Sequence, residues 1–114
     1  MKVEIPGQGR VIAHYGEDAQ SMIHMEECAE LIQAVSKMRR VRKAYLEGGM
    51  DDDSEAYYNL VEECADVLIC LEQMQEMYGI SDQEIQAMVD RKAARMEERM
   101  NELDRRLFEG QPVH

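Results

Sequence analysis

Two short segments of this sequence nearly repeat one another: Met25-Glu26-Glu27-Cys28-Ala29-Glu30-Leu31 and Val61-Glu62-Glu63-Cys64-Ala65-Asp66-Val67. Each sets two carboxylates three residues apart, Glu27 with Glu30 and Glu63 with Asp66. On an α-helix that offset leaves the side chains about 60° apart, one turn above the other, so both reach a common point. Four carboxylates from two such helices form a ligand set for a hard cation. Mg²⁺ takes octahedral oxygen coordination, keeps several waters and shares its shell with substrate phosphates, with Mn²⁺ as the substitute ion. Zinc would want His or Cys.

A lone E-x-x-E pair is commonly a solvated helix face, so the neighbours of these acids decide the reading. Counted by alternating threes and fours, one stripe of the first segment runs Ile23, Glu27, Glu30, Ala34, Lys37, Val41. One stripe of the second runs Ala56, Asn59, Glu63, Asp66, Cys70, Gln73, Met77. The acids thus fall where a helix bundle places its seam. Alongside lie apolar ridges, Leu60, Cys64, Val67, Leu71 and Met74 in one segment and Cys28, Leu31, Val35 and Met38 in the other. Like charges brought together in such a setting cost many kcal/mol unless a proton or a cation neutralises them. Glu26 and Glu62 stay open between a solvent-facing position and a supporting role.

The elements that position these acids are helices. No Pro or Gly interrupts residues 17–46, which end in Glu47-Gly48-Gly49 before the acidic run Asp51-Asp52-Asp53. A second helix over 54–78 stops at Gly79, and Ser81 with Glu84 forms a capping box that opens a third over about 81–107. Residues 1–16, with Pro6, Gly7, Gly9 and Gly16, read as an N-terminal arm with a short extended piece around Val11-Ile12-Ala13. Residues 17–108 form a single helical domain and 109–114 a tail. Gly7-Gln8-Gly9-Arg10 lacks the Gly-Lys-Ser/Thr ending of a phosphate loop.

Composition agrees. The chain has 114 residues, 45% hydrophobic, with ten Met, one Phe, two Pro and no Trp, which points to an all-α fold and excludes an all-β one. That length supports one modest core and no second catalytic domain. Helices of roughly 35 to 45 Å are long for a domain of about 13 Å radius of gyration, so the bundle is expected to be completed by homo-oligomerisation, as a homodimer or homotetramer. The net charge of −11 opposes binding to nucleic acid or an anionic membrane. Five of the thirteen basic residues nevertheless cluster between Lys37 and Lys43 and four between Arg91 and Arg99, which leaves room for local anion binding. Cys28, Cys64 and Cys70 show no C-x-x-C spacing, and no run is apolar enough for a signal peptide or a membrane span, so a cytoplasmic location is expected.

With these residues in view, the chain resembles the all-α nucleoside triphosphate pyrophosphohydrolases, the MazG-like group related to the dimeric dUTPases. That group's E-E-x-x-E followed by E-x-x-D is matched by Glu26-Glu27-Cys28-Ala29-Glu30 and Glu63-Cys64-Ala65-Asp66. Tyr15-Gly16-Glu17-Asp18-Ala19-Gln20 is similar to its lead-in, and Val89-Asp90-Arg91-Lys92-Ala93-Ala94-Arg95 to its Val-Asn-x-Lys-x-x-Arg region, so the likeness runs from about Tyr15 to Arg99. Asp90 stands where many members have Asn, and the stretch from Glu30 to Glu63 is longer than in typical members.

The resemblance implies hydrolysis of a nucleoside triphosphate between its α and β phosphates, giving a monophosphate and pyrophosphate. In that reading Glu27, Glu30, Glu63 and Asp66 hold Mg²⁺ and form the catalytic centre, and one of them, or Glu26, accepts the proton of the attacking water. Lys37, on the stripe of Glu30, and Lys92 and Arg95, one turn apart on the third helix, are the candidates for gripping phosphates. Gln20 and Asn59 are the candidates for a base or sugar edge. Two readings compete: a non-catalytic helical module of the same fold that binds a nucleotide or a protein, and a carboxylate-bridged iron protein built on His24 and Glu27. The latter wants a Glu-x-x-His on each of two helices, and only one His lies nearby.

Overall fold

The computed structural model describes residues 1–49 and 52–110. Among them the chain is all helical: α1 (Gly9–Tyr15), α2 (Glu17–Leu46), α3 (Ser54–Tyr78) and α4 (Asp82–Phe108). It divides into two compact units, Met1–Gly79 and Ile80–His114. Met50 and Asp51 of the acidic loop, and residues 111–114 of the expected tail, lie outside the described residues.

Helix limits follow local chemistry. α2 ends in a Schellman motif: Gly49 N–H donates to the Ala44 carbonyl at 2.7 Å, and Gly48 N–H donates to that of Tyr45 at 3.2 Å. Gly48 has φ 91°, and a Cβ on Gly49 would stand 2.5 Å from the Ala44 oxygen, so both positions require glycine. Of the expected capping box at the start of α4, the N-cap half is in place: the Ser81 hydroxyl accepts from Glu84 N–H at 3.1 Å.

One expectation is corrected. The piece around Val11-Ile12-Ala13 is not extended but lies in α1. The strand preference of two β-branched residues is worth only tenths of a kcal/mol, and α1 packs on both α2 and α3, which outweighs it. Gly16, at φ 92° and ψ 155°, then breaks the chain between α1 and α2, a conformation open to glycine and hardly any other residue.

In the first unit α2 and α3 lie side by side, the start of α2 against the end of α3, as the Gln20–Gln73 bond requires. What they bury is small or polar. Ala34, Ala56 and Cys70 are the buried hydrophobic residues among those described, and Gln8, Gln20, His24 and Gln73 are buried with them. Small side chains at the crossing let the two backbones approach closely. No large side chain is fully enclosed among the described residues, while Ile32, Leu46 and Tyr58 stand about 70% exposed (70%, 72% and 69%). The second unit is α4 with its flanks, the most strongly amphipathic of the three long helices. No helix among the described residues is long and apolar enough to cross a membrane.

Candidate metal centre

Half-way along the first unit, α2 presents Glu27 toward Glu63 and Asp66 of α3. One carboxylate oxygen from each lies within 4.8 Å of the others, and all three residues are half-buried. The i, i+3 offset of Glu63 and Asp66 puts both on the face that meets α2, and the side-by-side course of the helices brings Glu27 across from them. Glu30, a turn further along α2, is exposed and outside this close triad, but it touches Glu63 by a shared hydrogen bond and its charge acts on both Glu27 and Glu63.

The electrostatics of the cluster are those of crowded acids. Burial raises the Glu27 carboxyl from its ordinary 4.5 to about 7, helped by the charges of Glu30 and Asp66, a hydrogen bond shared with Asp66, and the charge of Glu63. Glu63 is raised as well, burial first, then the charges of Glu30, Asp66 and Glu62 and a hydrogen bond shared with Glu30. The Cys70 thiol, buried one turn beyond Asp66, is pushed up to about 11 by burial and then by Glu27.

One oxygen of Glu27 and one of Glu63, both Oε2, are buried with no hydrogen-bond partner among the described residues. Buried polar atoms without a partner are uncommon and need a physical account. A divalent cation fits the donor set: the converging atoms are all carboxylate oxygens, and a positive charge between them satisfies the orphaned pair and relieves the mutual repulsion. The imidazole of His24, one turn before Glu27, has its Nε2 on the amide oxygen of Gln73 at 2.7 Å, which makes Nε2 the donor.

The remaining sequence-derived candidates fall in several places. Glu26 is exposed on α2. Asn59 is half-buried on α3 one turn before Glu63. Lys37 is exposed and lines a hollow of about 460 Å³ with Val41, Asp52, Ser54, Glu55 and Ala56, two turns beyond Glu30. Lys92 and Arg95 are exposed on α4, in the second unit. Gln20 is buried, and its Nε2 donates to Gln73 Oε1 at 3.0 Å.

That last bond belongs to a network not anticipated from sequence. Gln73 Oε1 accepts from both Gln20 and His24, and Gln73 Nε2 donates to Gln8 Oε1 at 3.0 Å. Gln8 is held in turn by its own backbone N–H, which donates to Glu76 at 2.8 Å, and by its side-chain amide on the Pro6 carbonyl at 2.9 Å. Arm, α2 and α3 are thereby tied together two turns from the acids. The one available signal was that Gln73 shares the stripe of Glu63 and Asp66; its partners are 49 to 65 residues away in the chain. Comparison with protein-family models, with curated proteins and with solved structures finds no match for this chain.

Proposed function

We propose that this protein is a Mg²⁺-dependent nucleoside triphosphate pyrophosphohydrolase of the MazG-like kind, cleaving between the α and β phosphates and working as a cytoplasmic homo-oligomer. The observation that carries the reading is the convergence of Glu27, Glu63 and Asp66 with two buried, unpartnered carboxylate oxygens. These three residues hold the cation, with Glu30 beside them. A bound Mg²⁺ supplies neutralisation of the triphosphate and Lewis acidity toward its oxygens.

The chain's own groups do the rest. A carboxylate of the cluster, or Glu26 at its edge, takes the proton of the attacking water. Lys37, Lys92 and Arg95 neutralise phosphate charge. Asn59, half-buried, is the amide favoured for a base or sugar edge, because Gln20 is buried with its amide on Gln73. The exposed apolar faces of α2 and α3 support the oligomer.

The test is pyrophosphate release from a panel of ribo-, deoxyribo- and modified triphosphates, with and without Mg²⁺. Mg²⁺-dependent formation of monophosphate is expected, and Glu63→Ala should lower it by roughly a hundredfold or more. Nucleotide binding with no turnover across the panel would move the reading to the non-catalytic module.

A further inference from the structure

Along α4, Val89, Ala93, Met96, Met100, Leu103 and Leu107 recur at alternating intervals of four and three, the spacing of a coiled-coil seam. These side chains are exposed within their unit, Val89 at 52%, Met96 at 58%, Met100 at 57% and Leu107 at 64%. The residues flanking the seam are sorted by sign. On one side stand Lys92, Arg99 and Arg106, and on the other Asp90, Glu97 and Asp104.

This sorting distinguishes the ways in which two copies of the helix can meet. In a parallel pair, each basic flank faces the acidic flank five residues further along the other helix. Arg99 then meets Asp104 of the partner subunit. In an antiparallel pair, basic flank faces basic flank and acidic faces acidic. Residues five apart on one helix lie about 140° apart, too far round to pair with each other. Lys92, Arg99, Glu97 and Asp104 indeed form no ion pair among the described residues, whereas Arg106 is engaged within its own helix by Glu102 at 3.2 Å.

We propose that α4 is an association surface whose partner is a second copy of this chain, bound parallel and in register through the Val89 to Leu107 seam. The proposal rests on the oligomer reading above and not on the metal centre. It names the face and the direction of association.

Sedimentation equilibrium of the 114-residue chain tests it, using Arg99→Asp, Asp104→Arg and the two combined. Lys92 is left untouched because the phosphate reading uses it. Each single change sets like charges against each other twice in a symmetric pair and should weaken association on the order of tenfold, while the double change restores opposite charges across the pair and should return it to within about threefold of the original. Because residues 99 and 104 cannot meet within one helix, such a rescue reports a contact between chains. An oligomer indifferent to both single changes, or a double variant weaker than either single, would overturn the α4 interface and leave the oligomer reading standing. A wild-type protein that stays monomeric at high concentration would sink both.

Discussion

Glu27 is the residue whose state matters most. Its carboxyl is held at about 7 by burial and by neighbouring acids, against an ordinary 4.5. Between those values the folded chain holds a proton that the unfolded chain has released, so this group's contribution to stability is full below about 4.5 and is lost as the pH rises to about 7. Thermal melting across that window should show a fall in stability that Glu27→Gln flattens. A cation competing for the same oxygens must displace the proton. The thermal shift produced by Mg²⁺ should therefore be larger at pH 8 than at pH 6, and a shift that is equal at both would separate Glu27 from the cation.

Between α2 and α3, register is set by one amide more than by hydrophobic interlock. Gln73 serves Gln20, His24 and Gln8 at once, and all four side chains are buried. Replacing it with an apolar residue leaves three polar groups without their partner, and each such group costs about 1–3 kcal/mol. Gln73→Leu should lower the unfolding free energy by about 3–5 kcal/mol in urea titration, the lower part of that sum because partners relax after the substitution. Ser21→Ala removes a surface hydroxyl that donates to the Glu17 carbonyl of its own helix and meets the Tyr78 hydroxyl of α3 only at a long 3.4 Å, and should change it by less than about 0.5 kcal/mol. Equal effects would show the network to be incidental. Because the same two helices carry Glu27 and the Glu63–Asp66 pair, loosening this bond also loosens the cluster.

Taken by itself, the first unit leaves much of the apolar surface of its described residues uncovered. Ala34, Ala56 and Cys70 make a thin core, and each large side chain left exposed forgoes about 1.5–3 kcal/mol of burial. In the proposed homo-oligomer a second copy supplies the missing burial, which ties stability to mass action. The melting temperature should rise by several degrees between about 1 and 100 μM protein. A value independent of concentration over that range would contradict the oligomer.

Helices, their limits and the acidic pairs were legible along the chain because each is a local matter. Uninterrupted helix formers, Gly48-Gly49, Ser81 with Glu84 and an i, i+3 carboxylate pair all act within one or two turns. The limits expected for α2 and α3 agree with those observed, and that of α4 agrees to within one residue. α1 was misread because its helical state depends on packing against α2 and α3, not on the preferences of Val11 and Ile12. The closeness of Glu27 to Glu63 and Asp66, the exposure of Glu30 and the capture of Gln20 by Gln73 depend on how far α2 is displaced along α3 and rotated against it. No local preference encodes that displacement. It is decided where Ala34, Ala56 and Cys70 let the backbones approach and where one buried amide finds its partners across 49 to 65 residues of chain.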